Sequence, residues 1–487
     1  MSLTKVVEGG KLHRVLQEYR YVNAIEEAEN VDYWDQRTYM HKDAITPRSE
    51  MTGYMDALWH REMLRLAPDI KYLKGHNRLE KGILKEFRAQ LAFVKNVPIE
   101  LVKQKGTLSS RATVIWETAK KKNDFKSFAP HLKRLVDIQM EYAEAYGYKS
   151  NRYDALIDYF EYGMTTREMD GIFQRLLPEL KRIREKTDMP SEHPLEKMRY
   201  KKAQMKKVNL AIQNLFGVSK NAIRTDKSAH PMMVPIDSRD IRITTNFPPT
   251  DFRIAIDNNT HELGHAIYGF QISPRIRYTP ADGSASFGVD ESQSRFFENI
   301  LGHSMSFAKV IAPLLKEHLG VIEPPEETYR YFNMLKKGAV VRVAANELDY
   351  DFHIAMRYEI EKGLISGKLQ VSELPQIWEE HMIKYIGVKP SNDREGVLQD
   401  SHWADAAMGY FPTYTLGNII SGMVWKKMES LDEWIEEKRF DLIREWLGKN
   451  IHQHGSLYDP KDLLQKVFRK GYNPSNYIEY LENKYLS

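Results

Sequence analysis

HELGHAIYGF runs from His261 to Phe270 and sets two histidines four residues apart, with Glu262 directly after the first. Residues four apart on an α-helix lie nearly one above the other, so His261 and His265 share one stripe. Leu263, Ala266, Ile267 and Phe270 recur at the spacing of a buried face on the opposite side. The segment therefore reads as a helix packed on its apolar side, with two imidazoles held over a cleft. Asp257-Asn258-Asn259, just before it, supplies N-cap chemistry. Glu262 points to the side of the histidine stripe, where a carboxylate can act beside a metal without ligating it.

H-E-x-x-H at this phase is the pattern of zinc peptidases, although a helix with two half-exposed histidines would carry the same letters. A catalytic zinc takes three protein ligands and keeps one position open, so a third ligand is required. Gln271 stands where one branch of these enzymes needs a histidine, which excludes that branch. The other branch uses a glutamate on a following helix, and GVDESQSRFFENI (288–300) supplies Glu291. On a helical wheel Glu291, Arg295 and Glu298 share a face, with Phe296, Phe297 and Ile300 opposite. Between the two helices RIRYTPADGSASFG alternates and turns at Asp282-Gly283, which predicts a β-hairpin returning Glu291 to the histidines. The alternative for Glu291 is a solvated carboxylate at a helix start.

A chain of 487 residues buries a sizeable core, as two lobes of one domain or as two domains. It has no cysteine, which excludes disulfides, thiolate nucleophiles and Cys-ligated zinc, and fits a reducing compartment. The polar start MSLTKVVEGGKL has no apolar core of a signal peptide, and no apolar run is long enough to span a bilayer. A soluble, cytoplasmic protein is expected. A net charge of +4 with 28% charged residues is too balanced to imply nucleic acid. Lys120-Lys121-Lys122 and KMRYKKAQMKK (198–208) read as solvated helix faces.

Most of the chain reads as helix. In TTREMDGIFQRLLPELKRIREKT, Thr165 and Glu168 have capping-box spacing. Met169, Ile172, Phe173, Leu176, Leu180 and Ile183 follow at helical period, with a bend expected at Pro178. Strand-like alternation is confined to DIRITTNF (240–247) and the predicted hairpin. The expectation is a mainly α protein with a small sheet beside the histidine helix, whose edge strand could hold an extended peptide.

Several further motifs stand in order along the chain. D-x-R-x-T occurs at Asp240, Arg242 and Thr244, E-S-Q at Glu291-Ser292-Gln293, and G-x-x-Q-D-x-H-W at Gly396, Gln399, Asp400, His402 and Trp403. YDALIDYFEYGMT (153–165), GYFPTYTLGN (409–418) and NIHQHG (450–455) complete the set. Together they resemble the thermostable metallocarboxypeptidases of the carboxypeptidase Taq family. The resemblance spans nearly the whole chain and implies one domain over 1–487, a helical rod with two lobes around a deep groove, similar to the neurolysin-like zinc peptidases. It implies a zinc or cobalt enzyme, usually a cytosolic homodimer, that removes single C-terminal residues from peptides with broad specificity but not proline.

His261, His265 and Glu291 are then the expected metal ligands and Glu262 the base that moves the water proton to the leaving amine. By resemblance Tyr414 and His402 are the candidate donors to the oxyanion. Arg342, in VVRVAANELDY, is the candidate for the terminal carboxylate, since a guanidinium binds both oxygens. Its competitor is a structural ion pair. Arg242, Gln399 and His230 complete the expected substrate-binding set, with Arg242 bracing an edge strand through Asp240. Three positions depart from the family pattern. Met232 replaces phenylalanine, Asp290 replaces the histidine before the glutamate ligand, and Asn346 replaces an aspartate four residues after Arg342. Asp290 could tighten a histidine ligand. Asn346 leaves Arg342 without a charged partner at that spacing. A related oligopeptidase, a dipeptidyl carboxypeptidase, and a non-catalytic peptide-binding protein on the same fold are the rival readings.

Overall fold

The computed structural model describes residues 10–219, 221–228, 231–336 and 338–486. Helix dominates, as the apolar periodicity predicts. Long helices at Lys11–Thr38, Ile45–Lys71, Arg78–Asn96, Ile99–Lys122 and Phe125–Tyr146 open the chain. The helix Thr166–Lys186 starts on the predicted capping box, and its whole apolar series from Met169 to Ile183 is buried. It continues through Pro178 as one element.

A small sheet lies where the strand-like alternation predicts one. Its strands are β1 (Ile223–Asp226), β2 (Met233–Asp237) and β3 (Asp240–Thr244), in the order β1-β3-β2. β3 pairs parallel with β1, Ile223 opposite Ile241, and antiparallel with β2, Val234 opposite Arg242. The DIRIT strand is therefore central, not an edge. Its hydrogen bonds on both sides are already taken, and any peptide pairing falls to β1 or β2. Ile241 and Ile243 are buried, and Ile241 approaches the histidine helix at Gly269, where a Cβ would come within 3.0 Å of its Cδ1.

The histidine helix (Phe252–Gln271) begins earlier than Asp257-Asn258-Asn259 suggests. Asp251 is the cap, accepting the Arg253 N–H at 3.0 Å. Asn259 is instead fully buried and accepts a hydrogen bond from Gln213 at 2.9 Å. The predicted hairpin is absent: residues 274–283 form successive turns. Pro274 and Pro280 lack the N–H a ladder needs. Tyr278 takes a left-handed φ of 59°, held by Asp282, which accepts the Tyr278 N–H at 2.8 Å. These turns lead to the glutamate helix (Phe287–Arg295), capped by Ser286 and continued by a π-helical segment, Phe296–Leu301. Among the described residues no helix is long and apolar enough to cross a membrane.

Candidate metal centre

Two close helix contacts build the site. A Cβ on Gly264, between the two histidines, would lie 2.5 Å from the Gln293 carbonyl of the glutamate helix. A Cβ on Gly417, in the tyrosine helix (Phe411–Lys427), would lie 2.9 Å from Glu291 Cγ. Glycine at both positions lets the glutamate helix settle backbone-close between its neighbours. Packing then does the rest: Leu263, Ala266 and Ile267 are buried, as the periodicity predicts.

The contact brings His261, His265 and Glu291 together, one ligand atom of each within 4.8 Å of the others. His261 Nε2 lies 3.6 Å from Glu291 Oε1, and His265 Nε2 lies 3.7 Å from Glu291 Oε2. Both imidazoles are turned by carboxylates behind them. His261 Nδ1 bonds to Glu298 Oε2 at 2.9 Å, and His265 Nδ1 lies 3.2 Å from Asp290 Oδ1. A proton held at each Nδ1 leaves each Nε2 lone pair facing Glu291. Glu291 is buried, and its Oε1 has no hydrogen-bond partner. A buried acceptor left without a donor costs about 1–3 kcal/mol, so this oxygen is a place for a cation.

The electrostatics agree. Burial would lower the His265 imidazole, but Asp290 and Glu291 outweigh it and push it up to about 10. The cluster attracts positive charge, and a divalent ion competes for the same lone pairs. Burial would raise Glu298, but Arg295 and His261 hold it down to about 2. Glu262 is 3% exposed and burial pushes it up to about 7, tempered by His261 and His265. A carboxyl near 7 suits a group that must both take and give a proton. The donor set thus fits a metal, and neutral imidazole with one carboxylate suits zinc.

A second cluster adjoins the first through Tyr350. The Arg295 guanidinium, paired with Glu298, lies 4.4 Å over the Tyr350 ring, and Arg342 Nη1 donates to the Tyr350 hydroxyl at 2.6 Å. Arg342 is buried in a short turn, with Nε on Asp400 Oδ1 at 2.9 Å and Nη2 without a partner. Asp400, not residue 346, is thus its carboxylate. Asn346 caps the arginine helix (Glu347–Ile365), accepting the Leu348 and Asp349 N–H groups at 3.0 Å. Tyr414 meets His402 Nε2 at 3.0 Å, and its ring lies 4.9 Å from the Arg342 guanidinium. Gln399 accepts the Arg342 main-chain N–H at 2.9 Å. Arg242 sits apart from these groups in role: both its forks are taken by Asp240, at 2.9 and 2.6 Å, and it braces the central strand. His230 lies outside the described residues.

Sequence reasoning placed Glu298 on the right face but did not foresee that it orients His261. It also missed Tyr350 and Arg357. Their signal was present in the arginine helix, where Asp351, His353, Arg357 and Glu361 are all fully buried, so charged letters at this density mark a buried polar network rather than a solvated face.

The model of the family described as carboxypeptidase Taq (M32) metallopeptidase matches residues 14–485. Thermostable carboxypeptidase 1 of Pyrococcus furiosus is 36% identical, covering 99% of this chain and 100% of that protein. Carboxypeptidase 1 of Bacillus subtilis is 32% identical, over 94% and 95%. A solved structure of the Pyrococcus furiosus carboxypeptidase superposes with a TM-score of 0.91 at 36% identity, over 99% of this chain and 100% of that one. With two imidazoles and a glutamate converging on one point and this likeness along the full chain, the protein belongs to the carboxypeptidase Taq (M32) family and is a metallocarboxypeptidase.

Proposed function

We propose that the enzyme releases single residues from the C-termini of peptides, with broad specificity that excludes proline, and that zinc, or cobalt in its place, is held by His261, His265 and Glu291. When bound there, such an ion would supply Lewis acidity toward a water and the scissile carbonyl. Glu262 takes the proton of the attacking water and delivers it to the leaving amine. Tyr414 donates its hydroxyl hydrogen to the developing oxyanion, and His402 orients that hydroxyl from 3.0 Å. A cavity bounded by Asn30, Trp59, Asp282, Ser286 and Phe287 lies beside the start of the glutamate helix, and we take it as the side from which the peptide approaches.

The observation that carries the exopeptidase reading is the unpartnered, buried Nη2 of Arg342. A buried donor without an acceptor costs about 1–3 kcal/mol, and a substrate's terminal carboxylate removes that cost. Tyr350, Phe411 and Tyr414 surround the guanidinium, so its engagement requires these rings to part. Gln399 holds the Arg342 backbone, and Arg242 serves the site by stiffening β3. By family resemblance the enzyme works as a homodimer in the cytoplasm.

Digestion of a defined peptide with zinc present tests the reading. Stepwise loss of single C-terminal residues is expected; internal fragments or dipeptide release would overturn it in favour of an oligopeptidase or dipeptidyl carboxypeptidase. Glu262→Gln should lower kcat by about 10³-fold with metal content unchanged. Equal turnover by both proteins would remove Glu262 from its role.

A further inference from the structure

Arg342 is gripped from behind by a second guanidinium. Gln399 Oε1, which accepts the Arg342 main-chain N–H, also accepts Arg357 Nη2 at 2.7 Å. Asp400 takes Arg342 Nε on Oδ1 and Arg357 Nε on Oδ2, the latter at 2.7 Å. Arg357 therefore holds both the backbone and the side chain of Arg342 through one intermediary each. Its remaining donors go to the His353 carbonyl at 2.8 Å and toward His353 Nδ1 at 3.3 Å. The Trp378 ring lies 4.8 Å away. Its side chain is 0% exposed, so it cannot touch a substrate itself.

The charges do not balance. Burial would raise Asp400, but Arg357 and Arg342 overcome this and hold it well below the usual carboxylate range. Two guanidiniums thus share one ionised carboxylate. His353 adds no charge, because burial and Arg357 push it down to about 3. The Glu361 carboxyl, one turn along, is taken up by Tyr153, Trp403 and the Gly409 N–H. Lys120, which the sequence reads as part of a solvated run, is half-buried and donates to the Gln399 carbonyl at 2.7 Å, adding to the positive side.

We propose that Arg357 is a positioning residue for C-terminal carboxylate recognition: it fixes the Arg342 fork through Gln399 and Asp400 and supplies the surplus charge that the substrate carboxylate neutralises. This rests on the assignment of Arg342 to the terminal carboxylate. A planar fork that bonds two acceptors at once is required, which lysine cannot reproduce.

The test compares KM for a peptide with a free C-terminus and the inhibition constant of the same peptide as its C-terminal amide. In the unmodified protein the acid is expected to bind more tightly. Arg342→Met is expected to abolish that preference. Arg357→Met should raise KM for the acid about tenfold, lower kcat less, and leave the amide constant unmoved. Arg357→Lys should recover part of the loss, and Gln399→Met, which cuts one arm, should raise KM about threefold. If Arg342→Met keeps the preference, the assignment of Arg342 fails. If Arg342→Met abolishes it while Arg357→Met and Gln399→Met leave KM unchanged, or weaken acid and amide alike, the role of Arg357 fails alone. Thermal melting and metal content report folding; should Arg357→Met not fold, Arg357→Lys and Gln399→Met decide by the same criteria.

Discussion

The histidine–glutamate cluster and the arginine–aspartate cluster are both buried, both cross-braced, and joined through Tyr350, yet they carry opposite residual charge. The first gathers Glu291, Glu298 and Asp290 around two imidazoles, with Arg295 as its cation. The second gathers Arg342 and Arg357 around Asp400. Each includes a buried polar atom without a hydrogen-bond partner, such as Glu291 Oε1 in the first and Arg342 Nη2 in the second. Buried polar atoms are nearly always paired, so an exception marks where something else completes the set. On the proposed function a cation completes the first and the substrate's terminal carboxylate the second, which is what a peptidase acting at a C-terminus needs from adjoining places.

The comparison breaks most sharply on stability. Asp400→Asn would strand two buried guanidiniums and is expected to destabilise the protein by about 3–5 kcal/mol. Because the Asp400 carboxyl is held below its unfolded value, its contribution is complete above about pH 3.9 and is lost as the pH falls through and below that value. The variant should therefore melt lower at neutral pH but lose less on acidification, as thermal melts across pH 2–6 would reveal. Glu291→Gln should behave differently. It removes one of three carboxylates around the two imidazoles, so without metal the melting temperature should fall less than in Asp400→Asn, while the gain on adding zinc disappears. A fall in metal-free stability matching that of Asp400→Asn would end the contrast.

Smaller effects sharpen it. Asp290→Asn should weaken metal binding by about 10–100-fold, since the carboxylate facing His265 raises its basicity, and competition with a chelator measures this. Asn346→Ala should cost about 1 kcal/mol through the lost cap and leave KM unchanged, because Asn346 binds helix N–H groups rather than Arg342.

Local signals carried much of this. The stripe of His261 and His265, the wheel of Glu291 and the capping box at Thr165 each depend on residues within a few turns of one another, and each stands in the structure as read. Failures occurred where distant partners decide. DIRIT looks like any half-buried strand, but its central place depends on β1 and β2, two segments of weak alternation. RIRYTPADGSASFG has hairpin letters, but Pro274, Pro280 and the Tyr278–Asp282 turn prevent the ladder. Arg342 was legible as a candidate. Its true partner was not, because Asp400 lies 58 positions away and no helical spacing points to it.

The backbone-close seating of the glutamate helix also bears on which ions the centre accepts. Gly264 and Gly417 let main chains meet with no side chain between them. Such a contact has little give in either direction, so the backbone that carries Glu291 cannot withdraw from the histidine helix. On the proposed zinc or cobalt site, that fixed backbone would favour ions content with short bonds to few donors over calcium, which seeks six to eight oxygens at about 2.3–2.6 Å. Selection by ionic size would then be written in two missing methyl groups, outside the ring of donor atoms altogether.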